Sequence, residues 1–203
     1  MKLWRLVQLR RRTLVVDDPS PRISKDKWRN ELRPLKTGVE ANVEKEVVAA
    51  LASFLQDKHG LFLFYRPMSH ELGLDGLAEE MGWENFATTR TPRSGPLTVH
   101  PAGSPSEIHK FGFLQPVQNS PLIDLADVSV ALVPALAFDR TGIRLGHGFG
   151  YFDELLSRIP DNCLRIGVTT EAFIFEELPS ESHDISMTHL ATELGVRPVS
   201  GSV

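Results

Sequence analysis

Apolar residues recur along the chain with two periods. Between residues 40 and 56, Val43, Val47, Val48, Leu51 and Leu55 return every three or four positions. That spacing gathers them on one face of an α-helix, and Gly60 follows as a stop. Phe152, Leu155, Leu156 and Ile159 share a helical face in the same way over residues 150–159. Residues 71–81 also read as a helix. Ser24 or Asp26 is placed to cap a short basic helix that runs to Leu35, ended or kinked by Pro34. The second pattern is the short continuous apolar run, as in residues 61–65, 128–133 and 164–168, which reads as a buried strand. Residues 83–89 and 96–100 suggest further strands. Residues 101–120 are rich in Pro, Gly and Ser and read as a long loop. Strands that alternate with helices predict an α/β fold whose sheet is parallel at least in part.

Composition narrows the class. Hydrophobic residues make up 41% and charged residues 24%, enough to bury a core of ordinary size. A length of 203 residues suits one domain, placed at residues 24–203. Before it, residues 1–23 form a basic arm and linker. The arm carries Lys2, Arg5, Arg10, Arg11 and Arg12 and has no acid before Asp17; Asp17-Asp18-Pro19-Ser20-Pro21 is the linker. An Arg-rich, acid-poor start also has the composition of a transit peptide, although this one lacks Ser through residue 16. The net charge of −4 speaks against nucleic acid as the main partner. No apolar run reaches the roughly 20 residues needed to cross a bilayer. The lone Cys163 excludes a disulfide framework and a thiolate metal cluster, and a cytoplasmic protein is the simplest expectation.

The candidate chemistry lies where the strand at 128–133 gives way to Arg144-Leu145-Gly146-His147-Gly148-Phe149-Gly150-Tyr151-Phe152-Asp153. Alternate glycines at 146, 148 and 150 permit positive φ angles, so backbone N–H groups can turn toward an anion. The helix that follows presents its N-terminus there. Arg144 can add a bidentate phosphate contact, and Asp153 can hold Mg²⁺ beside phosphate oxygens. The loop lacks the Gly-Lys-Ser/Thr ending of a Walker loop and the spacing of a dinucleotide fingerprint. On spacing alone, an anion site and a plain tight turn are equally good readings.

The longer string Leu132-Val133-Pro134 … Phe138-Asp139 … Arg144 to Asp153 resembles the 5-formyltetrahydrofolate cyclo-ligase family. Phe111-Gly112-Phe113-Leu114-Gln115-Pro116, Ile166-Gly167-Val168, Leu178 to Asp184 and Thr192-Glu193 are similar to it as well. The resemblance implies a three-layer α/β/α sandwich with a largely parallel central sheet, like that of sugar-phosphate isomerases and CoA transferases. It implies ATP-dependent cyclisation of 5-formyltetrahydrofolate to 5,10-methenyltetrahydrofolate through phosphorylation of the formyl oxygen. It implies ATP and Mg²⁺ as cofactors, a reduced folate as substrate, and a monomer or weak dimer with neither nucleic acid nor membrane as partner.

Residue roles follow from the resemblance. Arg29, Arg33, Arg144, Leu145, Gly146, His147, Gly148, Phe149, Gly150, Tyr151 and Phe152 would bind the nucleotide. Glu71 would hold the pterin, with His147, Gly148, Phe149, Gly150 and Tyr151 along the folate. Arg144 and Tyr151 would act in catalysis, and Asp153 and Asp184 would hold the metal. The chain departs from the family's pattern at Arg29, Gln115, Phe149, Phe152, Glu154 and Phe173. Phe149 stands where lysine or glycine is common. Two other functions stay open: a non-catalytic relative that binds folate or nucleotide as a regulatory module, and a sugar-phosphate-binding enzyme on the same sheet. Blander readings stand beside the roles. Arg29 and Arg33 lie four apart, as on a solvated helix face; Asp139 is placed to form a turn, and Cys163 to fill the core.

Overall fold

The computed structural model describes residues 24–36 and 38–200. The basic arm and linker at 1–23 lie outside the described residues. The chain runs through α1 (Lys25–Leu32), α2 (Ala41–Leu55), β1 (Leu61–Phe64), α3 (Asp75–Met81), β2 (Phe86–Arg90), β3 (Thr98–Pro101), β4 (Ser106–Ile108) and β5 (Leu114–Pro116). It continues with β6 (Val128–Pro134), β7 (Ala137–Asp139), β8 (Arg144–Leu145), α4 (Tyr151–Leu156), β9 (Leu164–Val168), β10 (Ile174–Phe175), β11 (His189–Thr192) and β12 (Gly195–Pro198). Among the described residues no helix is long and apolar enough to cross a membrane.

Seven strands form the main sheet in the order β12-β11-β9-β6-β1-β2-β3. The five inner strands are parallel, and β12 and β3 close the edges antiparallel. Strand alternation sorts the core onto two faces. Phe62, Phe64, Val130 and Leu132 point to one face, where Val47, Leu51 and Leu55 of α2 and Leu77 of α3 cover them. Leu63, Ala131 and Val133 point to the other, under Leu155 and Leu156 of α4 and Ile159 beyond it. The result is the expected three-layer sandwich around a largely parallel sheet. Its second outer layer is thin, because α4 has only six residues. A smaller sheet, β10-β7-β8, lies beside it. Trp28 and Leu32 of α1, one turn apart, pack there with Leu136, Leu145, Phe175 and Leu178. Trp28 meets Phe175 edge-on at 5.1 Å.

Strand order reverses between β1 and β6. From β1 the chain moves outward to β2 and β3; from β6 it moves the other way, to β9 and β11. In open parallel sheets the crevice beyond the strand ends at such a switch point is where ligands bind.

Three sequence expectations change. Residues 71–74 do not join α3: Glu71 closes a turn through its N–H to Met68 O at 2.9 Å, and the helix starts at Asp75. The Pro, Gly and Ser-rich stretch holds a short hairpin, β4 paired with β5, tied down by Gln115, which donates to Glu107 and accepts from the Thr91 N–H at 3.1 Å each. Residues 83–85 form a single 3₁₀ turn, so the strand starts at Phe86 rather than Trp83.

Candidate functional site

A cleft of about 530 Å³ opens at the switch point. Its lining includes the start of α1, the segment after β1 from Tyr65 to Glu71, the end of β2 with Thr91 beyond it, the turn of the β4–β5 hairpin, Arg144 with the loop from Gly146 to Asp153, and Glu181 to Asp184. Tyr65, which follows β1, and Pro134, which ends β6, are both in its wall at the reversal.

The glycines do what the sequence asks of them. Gly148 and Gly150 have φ of 98° and 72°, left-handed values that disfavour a Cβ. At Gly146 a Cβ would sit 2.6 Å from Arg144 Nη1. The α1 arginines cross to this loop and hold it by its carbonyls: Arg29 Nε donates to Gly146 O at 3.0 Å and Arg33 Nη2 to His147 O at 2.8 Å. Arg29 also reaches Asp26 at 2.6 Å. Arg29 lines the cleft, whereas Arg33 touches it only through the loop. Arg144 is buried; it donates to Asp153 Oδ1 at 2.5 Å, and its Nε is buried with no partner. Leu145 faces the small core around Trp28 instead of the cleft.

The two acids expected to share a metal are separately engaged. Asp153 accepts from Arg144 alone among the described side chains. Asp184 accepts from Lys25 at 2.6 and 2.7 Å and from the Glu181 N–H at 2.7 Å. Both line the cleft. Among the described residues, the groups of three that bring ligand atoms within 4.8 Å of one another are His70, Glu71 and His147, and Glu181, His183 and Asp184; Asp153 is in neither.

Glu71 also lines the cleft, beside the glycine loop, with its side chain 5% exposed. Its Oε1 lies 3.3 Å from His147 Nε2, and its Oε2 accepts from the Met68 N–H at 2.9 Å. Burial alone would raise its pKa. The hydrogen bonds from His147 and Met68, with the charges of His147 and His70, outweigh that and hold it below the usual value. Aromatic rings close the mouth. Phe149, 63% exposed, stacks on Phe111 of the hairpin and lies tilted against Tyr151, with ring centroids 6.1 Å apart in each pair. Phe152 lies beneath the Arg144 guanidinium at 5.8 Å.

Lys25, His109 and His70 were not singled out from sequence. Lys25 sits in a basic stretch with nothing to separate it from its neighbours, and its partner is 159 positions away. Of the bland readings, Asp139 is a turn residue: its carboxylate accepts from the N–H groups of Thr141, Ile143 and Leu178. Cys163 is buried, and burial pushes its thiol pKa up to about 11.

Residues 78–193 match the 5-formyltetrahydrofolate cyclo-ligase family. A Mycolicibacterium smegmatis protein named 5-formyltetrahydrofolate cyclo-ligase is 38% identical over 84 residues, 41% of this chain and 43% of that one. The chain thus spans under half the length of that relative. A Haemophilus influenzae protein of the same name is 23% identical over 175 residues, covering 78% of this chain and 92% of its own. The solution structure of Aquifex aeolicus 5,10-methenyltetrahydrofolate synthetase superposes with a TM-score of 0.73 at 26% identity, over 89% of this chain and 95% of that one.

Proposed function

Because the chain belongs to the 5-formyltetrahydrofolate cyclo-ligase family, we propose that it uses ATP to cyclise 5-formyltetrahydrofolate to 5,10-methenyltetrahydrofolate, releasing ADP and phosphate, as a cytoplasmic monomer or weak dimer. The observation that carries this reading is the mixed lining of the cleft: the cations Lys25, Arg29 and Arg144 share it with the glycine loop, Glu71 and the aromatic rings of Phe111, Phe149 and Tyr151.

The donor set suits a triphosphate. Lys25 and Arg29 reach the cleft as cations, and the buried Arg144 has an N–H without a partner. A Cβ at Gly146 or a right-handed φ at Gly148 or Gly150 would spoil the cradle. Asp153 would hold a magnesium ion through the carboxylate oxygen that Arg144 leaves free, and Asp184 would be its second ligand. Bound there, Mg²⁺ would neutralise charge on the phosphate oxygens.

In the reaction the formyl oxygen attacks the γ-phosphorus, and the bond to ADP breaks. N10 then attacks the activated formyl carbon. The carbon–oxygen bond breaks, phosphate departs with the formyl oxygen, and the N10 proton is carried off with it. Little covalent work falls to the protein, so positioning and charge neutralisation carry the rate. Glu71, held as a carboxylate, accepts hydrogen bonds from the pterin. His147, beside Glu71, steadies that carboxylate at the folate edge. Tyr151 and Phe149 flank the folate, with Phe152 supporting Arg144. Arg33 acts by holding the loop at His147 O. Leu145 contributes backbone only.

The test mixes the protein with 5-formyltetrahydrofolate, ATP and Mg²⁺ and follows the near-ultraviolet absorption of the methenyl product. Growth of that band supports the proposal. A silent assay with nucleotide or folate still bound would favour a non-catalytic module, the second reading, which Phe149 supports by placing a ring instead of a cation in the loop.

A further inference from the structure

Glu71 is flanked by two imidazoles. His147 reaches it from the glycine loop, 76 positions away, and His70 precedes it in a tight turn. Adjacent residues rarely face one point in extended or helical chain, but here the Glu71 N–H folds back to Met68 O. The turn brings both side chains to His147, and one ligand atom from each of the three lies within 4.8 Å of the others. The two imidazole rings meet edge to face at 5.2 Å.

We propose that His70, Glu71 and His147 form a binding site for a zinc-like divalent cation, distinct from the magnesium position at Asp153. Two imidazole nitrogens and one carboxylate oxygen are a donor set that suits zinc and leaves a fourth position for water or a ligand. The spacing of Glu71 and His147 agrees with it. Zinc–nitrogen and zinc–oxygen bonds of about 2.0–2.1 Å in a tetrahedron put ligand atoms about 3.3 Å apart, and His147 Nε2 stands 3.3 Å from Glu71 Oε1. The His70 Nε2 atom is buried without a hydrogen-bond partner. Glu71 Oε2 is fixed by the Met68 N–H, the kind of outer contact that orients a ligating carboxylate. The cation's effect on turnover rests on the cyclo-ligase reading: a bound ion occupies the Glu71 carboxylate and His147, and so excludes the folate.

The test uses the metal alone, without nucleotide or folate. Titration with Co²⁺ gives one equivalent of visible d–d absorption, and Zn²⁺ displaces it. His70→Gln, close in volume, lowers the affinity at least tenfold while the circular dichroism spectrum is unchanged. His183→Ala, in the other grouping near the cleft, leaves affinity intact. Absence of a stoichiometric cobalt band in the unmodified protein overturns the site, as does unaltered affinity in His70→Gln or loss of binding in His183→Ala. In the turnover assay Zn²⁺ inhibits the unmodified protein and inhibits His70→Gln at least tenfold less. Equal inhibition of both overturns the blocking role. A protein with no turnover would overturn the folate reading, while the cobalt titration still decides the metal site.

Discussion

Lys36 places an ammonium in the wall next to Glu71, in a smaller pocket that shares Tyr65, Glu71 and Pro134 with the cleft. Its Nζ donates to Ala135 O at 2.7 Å and lies 4.8 Å from the Phe173 ring. Burial lowers its pKa from 10.5 to about 8, against the opposing pull of the Glu71 charge. A drop of that size means the fold disfavours the charged amine by about 3 kcal/mol. The folded pKa lies below the unfolded one. Below pH 8 the amine is charged in both states, and the penalty is present in full. Between pH 8 and 10.5 the native state has shed a proton that the unfolded chain keeps, so stability rises with pH. Lys36→Met removes the penalty. It forfeits a hydrogen bond worth about 1 kcal/mol and a cation–π contact worth about 0.5–1 kcal/mol. The net expectation is a gain of about 1 kcal/mol at pH 7, or about 2–4 °C in Tm for a domain of this size. That advantage should be largely gone by pH 9, where the unmodified protein has released most of its Lys36 protons. Urea unfolding of both proteins at pH 7 and pH 9 measures it, and the difference between the two proteins cancels the opposite contribution of Cys163. A variant less stable than the unmodified protein at pH 7, or a difference that does not change with pH, would refute the reasoning.

Three further substitutions probe the site and the sheet. Asp153→Asn should reduce turnover at least a hundredfold with the fold intact, because it removes the carboxylate proposed for magnesium and the partner of Arg144; turnover near that of the unmodified protein would sink the assignment. Phe149→Lys restores a cation to the loop and should tighten nucleotide binding severalfold by calorimetry; an unchanged or weaker affinity would mean that position 149 does not face the nucleotide. Gly167→Ala puts a Cβ 2.5 Å from the Phe138 ring in the centre of the sheet, which should cost about 1–3 kcal/mol in urea unfolding; a cost under about 0.5 kcal/mol would show that the ring can move aside.

The elements that were legible in the sequence are those whose signal is local. The helical spacing of Val47, Leu51 and Leu55 and the apolar run at β6 each report their own burial, and both faces of β6 are buried as that run requires. The glycine loop was legible because a left-handed backbone at Gly148 and Gly150 restricts residue type. Contacts set by the chain's return were not. Nothing local to Glu71 announces His147, nothing near Asp184 announces Lys25, and Arg29 and Arg33 are indistinguishable from a solvated helix face until the loop arrives beneath them. The β4–β5 hairpin was hidden because its strands are three residues each. Its register is fixed largely by Gln115, Glu107 and Arg90 rather than by an apolar face.

The proposed reaction transfers a phosphoryl group to the formyl oxygen, which then leaves as phosphate. The most direct measurement supplies 5-formyltetrahydrofolate labelled with ¹⁸O at the formyl group, together with unlabelled ATP and Mg²⁺, and weighs the inorganic phosphate by mass spectrometry. The expected result is one ¹⁸O in each phosphate released and one methenyl product for each ADP. Methenyl product accompanied by unlabelled phosphate, with the ¹⁸O in water, would contradict it.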